Sequence, residues 1–351
     1  MKVTKRTLAA LERVYSIAVV PGRSTDGWPA FLAGSEGDGA LLYFEPGKYE
    51  PIEIASEPGG FISLWAFERG ASKYAVASTD FKPGFKAENC RIIVYPLDEP
   101  GDGRCFEVGT LGYTHRVAVL ELEGLKCFLG STLCCAKAFK QDWTQPGGIH
   151  LAVIPEAVEG EWEFKQIVTG LNKNHGMDFA RLDEAQRGGY LLSAMEGLFF
   201  MKVPESIDGQ WEVETIAEGE HSDAFAYDWD QAGSAQIFTI SPFHGNRVSI
   251  YRRQESGWCA TVIADDISMG HVLWAGELLG RPGLLVGGRD GDKELRLYRK
   301  SGAGGGEFSY EIIDEGIGPT QIAVVERGQG SAGLIVAAHG VNEVRTYDLA
   351  E

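Results

Sequence analysis

The chain has few positive charges and no long apolar run. Its 351 residues include 32 lysines and arginines against 50 aspartates and glutamates, a formal net charge of −18. Because an acidic chain repels phosphate backbones and anionic lipid headgroups, we expect neither nucleic-acid nor membrane partners. No stretch reaches transmembrane length, and MKVTKRTLAALERVYSIAVV lacks the apolar core of a signal peptide. The acidic composition does not exclude an anionic small substrate, because a bound metal ion or an arginine can make the charge of a binding site positive.

Cysteine is also scarce, and its six positions follow no zinc-knuckle or redox spacing. We therefore predict reduced thiols in a cytoplasmic protein. The phosphate-binding loop, the G-x-S-x-G nucleophile motif and the regular aspartate spacing of a calcium loop are missing as well. These absences exclude several common enzyme classes and leave the histidines, only seven in number, as the main candidates for chemistry.

Glycine, in contrast, is abundant at 46 residues, and aromatic residues make up 11% of the chain. Both are typical of short strands joined by tight turns. A unit of four strands recurs along the chain, and its third strands align as ALLYFEP, RIIVYPL, IHLAVIP, GLFFMKVP, VSIYRR, LRLYRK and VRTYDL.

Seven such units predict an all-β protein, a seven-bladed β-propeller with four antiparallel strands per blade, as a single domain over residues 1–351. The units begin near residues 14, 59, 112, 172, 219, 268 and 317. The last unit stops after its third strand, so we expect residues 3–10 to supply its fourth strand and close the ring. The segment SGAGGGEF, 301–308, predicts a hairpin within the sixth unit. Two stacked β-sandwiches are the alternative architecture.

Histidine recurs at one position of these units, just before the apolar part of the first strand. That position holds Tyr15, Phe61, His115, His175, His221, His271 and Thr320. The second strand runs antiparallel, so its end lies on the same face as the start of the first strand. The residues at those ends include Glu36, Asp80, Glu196, His244, Arg289, Asp290 and His339. We therefore expect six histidines at one mouth of the channel, with His150 left as a structural residue.

Converging neutral imidazoles are good ligands for divalent ions. We predict a metal site of His175, His221 and His271, with His115 as a fourth ligand or as an acid or base. The ion is Mn, Zn, Fe, Mg or Ca, which the pattern does not distinguish. The alternative is that these histidines line a water-filled channel.

Other rim residues have predicted roles in catalysis or substrate binding. Arg289 would hold a carboxylate or a developing oxyanion, and His339 and His244 would act as general base and acid. Glu36 and Glu196 would bind substrate, beside an aromatic wall of Tyr15 and Phe61. Each has a plainer alternative: a salt bridge for Arg289, a loop position for His339 and His244, and packing for Tyr15 and Phe61.

Two segments, HGMDFARLD…GGYLLSAMEGLFFMKVP and GHVLWAGELLGRPGLLVGGRDGDKELRLY, resemble FG-GAP/VCBS-like repeats of seven-bladed propellers. Their histidine and Gly-Arg spacing is similar to the propeller part of aldos-2-ulose dehydratases. The architecture also resembles propeller-fold polysaccharide lyases, which hold a divalent ion through histidines. The resemblance implies a metal near His175, His221 and His271, with Arg289 and His339 near substrate.

Together these features predict a metal-dependent carbon–oxygen lyase that acts on a sugar derivative such as a keto sugar or uronide. The metal would acidify a carbon-bound proton, and His339 or His115 would accept it. Two alternatives are open: a non-catalytic scaffold that binds a glycan or protein, and a metal-dependent lactonase or hydrolase. The expected partner is a small carbohydrate, and homo-oligomerisation is left open.

Overall fold

The computed structural model describes residues 1–183, 187–301, 308–328 and 330–351. Within these ranges the secondary structure is β-strands and one short 3₁₀ helix, His339–Val341. The strands form seven four-stranded sheets, and every strand pairing found in them is antiparallel, which confirms the predicted seven-bladed β-propeller. The described part of the chain contains no helix long and apolar enough to cross a membrane. Most of the predicted hairpin at 301–308 lies outside the described residues.

The chain divides into two compact units, and the first comprises Met1–Asn172 and Gln321–Glu351. It holds blades one, two, three and seven, numbered in chain order. Their strands are β1 (Lys2–Ala10), β2 (Val14–Thr25), β3 (Trp28–Ser35), β4 (Leu41–Phe44), β5 (Pro51–Ala55), β6 (Ser63–Arg69), β7 (Ser72–Thr79), β8 (Arg91–Pro96), β9 (Phe106–Thr110), β10 (Thr114–Leu122), β11 (Leu125–Thr132), β12 (Gly147–Val153), β13 (Lys165–Leu171), β26 (Pro319–Glu326), β27 (Ser331–Ala338) and β28 (Glu343–Ala350).

The second compact unit is Lys173–Thr320 and holds blades four, five and six, together with the first two residues of β26. Its strands are β14 (Gly176–Ala180), β15 (Gly189–Ser193), β16 (Gly197–Lys202), β17 (Val213–Glu218), β18 (Asp223–Tyr227), β19 (Gln236–Ser241), β20 (Arg247–Gln254), β21 (Gly257–Ala264), β22 (Gly270–Leu278), β23 (Arg281–Gly288), β24 (Leu295–Lys300) and β25 (Phe308–Asp314).

Blade seven combines both ends of the chain. Strand β1 pairs antiparallel with β28, from Lys2 opposite Ala350 to Ala10 opposite Glu343. The amino-terminal strand therefore completes the last blade, as the missing fourth strand predicts. This pairing covers a sheet edge that would otherwise be exposed. The single domain over the whole chain stays a prediction.

The inner strands of each blade are apolar because both of their faces are covered. In blade one, all eight residues of β3 except Pro29 are buried, as are all four of β4, whereas β5 alternates between exposed and buried. Phe31 and Phe44 stack with centroids 4.5 Å apart. Continuous burial on two strands and alternation on the outermost one is what blade packing requires.

The start of the first strand carries the feature that positions the site. In blades one, three and six the pairing with the second strand skips one residue, namely Tyr15, His115 and His271. Each is the extra residue of a β-bulge, which turns a side chain out of the normal alternation. We call this position, at the start of each first strand, the slot.

Candidate metal centre

The register of the strands shows which residue occupies the slot in the blades without a bulge. The backbone amides of His175, Ser222 and Ile62 donate to the second strands at Ser193, Ile240 and Ser78, at 3.0, 2.9 and 3.1 Å. These residues therefore occupy the slots of blades four, five and two. Phe61 and His221 come one residue earlier, and their amides donate to the preceding blade at Ser35 and Ala194. A shift of one residue reverses the direction of a side chain, so both aim away from the slot.

Three imidazoles meet in the second unit, one from each of its blades. His175, His244 and His271 offer ligand atoms that all lie within 4.8 Å of one another. The Nε2 atoms of His244 and His175 are 3.2 Å apart. The ring centroids of His271 lie 5.2 Å from His175 and 5.1 Å from His244. Blade five thus contributes His244, from the end of its second strand, and the structure does not place the predicted ligand His221 in this group.

His175 is fixed by its other ring nitrogen. Its Nδ1–H points to two oxygens of blade five, the Ser222 carbonyl at 3.2 Å and Asp223 Oδ2 at 3.1 Å. His175 is fully buried, and the Asp223 carboxylate is nearly so and also accepts from Ser222 Oγ at 3.2 Å. A carboxylate on Nδ1 sets the tautomer with a bare Nε2, orients the ring and strengthens it as an electron donor to a metal.

His271 is held in the same way by the slot residue of the next blade. Its Nδ1 lies 2.9 Å from the carbonyl oxygen of Thr320, which belongs to the second unit, and its ring is buried. In both cases the slot histidine donates from Nδ1 to the backbone carbonyl of the following slot, Ser222 or Thr320. This repeated contact leaves Nε2 unprotonated on two of the three rings, the state that a metal ligand needs.

His244 depends on a tight turn after β19. Its φ of 49° is left-handed, an uncommon conformation for a residue with a side chain. Gly245 follows it, donates to Pro242 O at 2.8 Å, and accepts from the amide of Gly270 at 2.9 Å. A Cβ on Gly245 would lie 2.4 Å from Pro242 N, so only glycine fits this turn. Phe243 stacks on His244 with centroids 4.1 Å apart and planes 24° apart, which fixes the ring.

The distance between His175 and His244 fits two ligands of a transition-metal ion, and the ligand atom of His271 lies within 4.8 Å of both. Two nitrogen ligands at about 2.0–2.1 Å from a tetrahedral zinc ion lie about 3.3 Å from each other, close to the 3.2 Å between His244 and His175. Three protein ligands leave coordination positions for a substrate, the pattern of catalytic rather than structural zinc sites. His175, His244 and His271, together with Asp223 as the partner of His175, could therefore hold a divalent ion.

His221, although adjacent to Ser222, has a different environment. Its Nδ1 is 2.8 Å from Gly219 O and its Nε2 is 3.0 Å from the Tyr251 hydroxyl. Burial lowers the pKa of His221, and the hydrogen bond to Gly219 opposes this. Burial also raises the pKa of Tyr251. The two side chains form a neutral pair at physiological pH.

The first unit contains a second, separate arrangement around His115. The His115 Nε2 lies 3.2 Å from the hydroxyl of Tyr15, and its ring packs edge-on against Phe81 with centroids 5.6 Å apart. Both slot side chains are buried. The predicted catalytic His115 and substrate-binding Tyr15 are thus brought together with each other. Their predicted roles stay predictions.

The remaining predicted residues occupy varied environments. Phe61 is fully buried beside Tyr95, with centroids 6.3 Å apart. Glu36 forms an ion pair with Arg13 at 3.2 Å. His339 is half-buried at the start of the 3₁₀ helix, and Glu196 is exposed. Arg289 is half-buried, and its backbone amide donates to Met269 O at 2.9 Å, two residues before His271.

His150, outside the rim, lies in β12, and burial lowers its pKa. Its interpretation as a structural residue stays a prediction.

Sequence reasoning missed Asp223 and Phe243, which contact members of the three-histidine group, and the ion pair of Lys173 and Glu220, whose lysine lies beside Phe243. The Lys173 ammonium group pairs with Glu220 and lies 5.3 Å from the centroid of Phe243. The hydrogen-bond register of β18 against β19, which only the structure provides, assigns Ser222 to the slot and Asp223 to the position beside it. In the sequence, the available signal was NKNH, with a lysine two residues before a slot histidine.

No protein-family model and no curated protein matches this chain. Among solved structures it is similar to a PQQ-bound aldose sugar dehydrogenase from Streptomyces coelicolor, with 15% identity, coverage of 100% of this chain and 99% of the other, and a TM-score of 0.49. It is also similar to a putative 6-phosphogluconolactonase from Bacteroides fragilis, with 10% identity, coverage of 89% and 92%, and a TM-score of 0.52. The second likeness shows a shared fold.

Proposed function

We propose that this protein is a metal-dependent carbon–oxygen lyase that acts on a sugar derivative, with His175, His244 and His271 as the metal ligands. One observation supports the metal centre above all others. Three imidazoles from three successive blades converge within 4.8 Å, and two of them have Nδ1 held by carbonyl groups of the next slot. Histidines that ligate a metal almost always donate their other ring N–H to a carbonyl or carboxylate in this way.

The ligand set favours chemistry that builds negative charge. Three neutral imidazoles leave a divalent ion with its full charge, and such an ion polarises a carbonyl or carboxylate beside the reacting carbon. The residues of the chain position this chemistry: Asp223 and the Ser222 carbonyl orient His175, Thr320 orients His271, and the Gly245 turn orients His244. Arg289, whose backbone adjoins the His271 segment, is proposed to steady an enolate-like intermediate. His339 and His115 stay sequence-based predictions for the proton acceptor.

Elimination is preferred to hydrolysis because of the ligands themselves. Lactone hydrolases on this kind of fold use sites richer in Asp, Asn and Glu, whereas this centre is built from histidines with one carboxylate behind them. The sugar-derivative substrate rests on the resemblance of blades four and six to sugar dehydratases. The fold likeness to the lactonase adds no substrate at 10% identity.

Metal removal tests the proposal. Protein treated with a chelator should lose a stoichiometric divalent ion, measured by elemental analysis, and should regain activity when Mn²⁺, Zn²⁺ or Fe²⁺ is added. Activity is followed on keto sugars and uronides through the ultraviolet absorbance of a new conjugated double bond. Activity that survives chelation would disprove the metal role.

Lactones belong in the same screen as a control reaction. Their hydrolysis releases acid without forming a double bond, so that result would keep the metal centre and replace the lyase reaction. A protein that binds no ion and turns over no sugar derivative would instead favour a non-catalytic scaffold.

A further inference from the structure

A lysine lies at the edge of the metal centre, immediately before the segment that carries His175. Lys173 has a left-handed φ of 47°, and its side chain is only 19% exposed. Its ammonium group forms an ion pair with Glu220, whose side chain is 27% exposed and which directly precedes His221. The same left-handed conformation occurs two residues before the slot in blades one, three and six, at Arg13, Tyr113 and Met269, so it belongs to the turn that precedes the slot.

Phe243 connects this lysine to the metal ligands. Its ring lies 5.3 Å from the ammonium nitrogen of Lys173 and stacks on His244, with centroids 4.1 Å apart. It also packs edge-on against His175 at 5.3 Å. Phe243 therefore contacts Lys173 and two of the proposed metal ligands, His175 and His244. The positive charge of Lys173 then lies beside the place where a substrate bound to the metal would lie.

A partly buried positive charge stands out in a chain that is strongly acidic as a whole. The whole chain has a net charge of −18, which repels anions in solution. The Asp223 carboxylate is engaged with His175. A partly buried ion pair gives little net stability, because desolvation of both charges offsets their attraction. What distinguishes the Lys173–Glu220 pair from other partly buried ion pairs is its position, since the Lys173 ammonium group lies 5.3 Å from the centroid of Phe243, which stacks on His244.

We propose that Lys173 is a substrate-binding residue that receives the carboxylate of a sugar acid, with Glu220 holding the ammonium group in place until the substrate replaces it. The substrate class is then an anionic uronate rather than a neutral keto sugar. This inference rests on the proposed metal centre, since the reacting part of the sugar would lie at His175, His244 and His271.

Two substitutions of the same ion pair separate binding from structure. Lys173→Gln removes the charge that binds the carboxylate, so affinity for D-galacturonate should fall about tenfold or more. Glu220→Gln removes the competing carboxylate, so affinity for D-galacturonate should rise. Titration calorimetry on the zinc-loaded full chain measures both, with D-galactose as the neutral comparison, whose binding should not change in either variant. A merely structural pair predicts that both variants weaken binding alike.

The more exposed Lys202–Glu212 pair of the same unit provides the control. Its Lys202 ends β16 and its Glu212 directly precedes β17, 3.3 Å apart, so Lys202→Gln should leave binding of D-galacturonate unchanged. The proposal would be overturned if D-galacturonate binding weakened in both Lys173→Gln and Glu220→Gln, or changed in neither. It would also be overturned if the wild-type chain did not bind D-galacturonate. If the metal centre does not exist, elemental analysis finds no zinc. Even then, a loss of D-galacturonate affinity in Lys173→Gln and a gain in Glu220→Gln would still support the carboxylate site.

Discussion

The same bulge position holds a histidine in both compact units, yet the two rings have different partners. In the first unit His115 meets the hydroxyl of Tyr15 through Nε2 and packs against Phe81. In the second unit the Nδ1–H of His271 donates a hydrogen bond to the carbonyl oxygen of Thr320. The His271 ring lies 5.2 Å from the ring centroid of His175 and 5.1 Å from that of His244. A slot histidine is therefore not a metal ligand by position alone. We expect it to be one where a carbonyl holds Nδ1 and neighbouring blades supply further imidazoles.

A second pair of equivalent positions teaches the same lesson. Phe61 and His221 both precede the slot by one residue, and each lies beside a tyrosine of its own blade's third strand, Tyr95 or Tyr251. In blade two the contact is aromatic packing, and in blade five it is a hydrogen bond. Chemistry at one position varies freely from blade to blade, while the backbone that presents it stays constant.

The largest expected effect comes from removing the imidazole that blade five contributes to the three-histidine group. His244→Ala should weaken zinc binding by more than about 100-fold, because loss of a direct ligand exceeds the roughly 10–100-fold cost of losing an outer partner. His115→Ala, from the slot of the first unit, should leave zinc affinity unchanged. Competition with a zinc chelator measures both. Equal losses in the two variants would contradict the distinction between the units.

The next effect concerns the carboxylate behind His175. Asp223→Asn keeps the shape of the side chain and removes its charge, so zinc affinity should fall by about 10–100-fold. The same competition assay applies. Asp178→Asn, on the first strand of blade four, serves as the control in the same unit. An unaltered affinity in Asp223→Asn would show that the contact at 3.1 Å only packs the ring.

A smaller effect, on stability, is expected from His221→Phe, which gives blade five the residue that Phe61 provides at this position in blade two. Because burial lowers the pKa of His221, the unfolded chain binds a proton at that residue more readily than the folded chain does. The resulting stability is present above about pH 6.5 and is lost as pH falls toward the lowered folded pKa. His221→Phe should remove that loss, which is at most about 1.4 kcal/mol per pH unit. Urea unfolding of both proteins at pH 7.5 and 5.5 measures the difference.

Zinc affinity of the His221→Phe variant is the accompanying check. The ring of His221 lies outside the three-histidine group, so its replacement should leave the zinc site intact. A large loss of zinc would return His221 to the ligand set.

The smallest effect belongs to the first unit. Tyr15→Phe removes the hydroxyl that meets His115 Nε2 at 3.2 Å, which should cost about 1 kcal/mol of unfolding free energy. Chemical denaturation measures this cost, and zinc binding should be unaffected. A change in zinc affinity would indicate that the Tyr15–His115 pair communicates with the metal centre.

Much of the fold was predictable because it repeats. Seven recurrences of an apolar second and third strand indicate seven blades, and the incomplete last unit predicts that β1 pairs with β28, which the structure confirms. The histidines were equally visible in the sequence. Their convergence could be expected from rotational symmetry, and His175 and His271 do lie together.

The ligand from blade five was not predictable in the same way. An alignment by residue type places His221 in the slot, because it matches the histidines of neighbouring units. The hydrogen-bond register places Ser222 there instead, since its amide donates to Ile240 O at 2.9 Å. One residue of shift decides the direction of a side chain, and no periodicity in the sequence reports it.

The amino-acid sequence by itself determined the β-rich repeat, the number of blades, the closure by the amino-terminal strand and the small set of histidines available for chemistry. Those properties follow from local patterns of apolar residues and turns, which are written along the chain. Only the tertiary structure decided that His244 rather than His221 joins His175 and His271, and that Asp223, Phe243 and Lys173 surround them. Bulges, a left-handed turn and contacts between strands distant in sequence set the directions of these side chains, and such features exist only once the blades pack together.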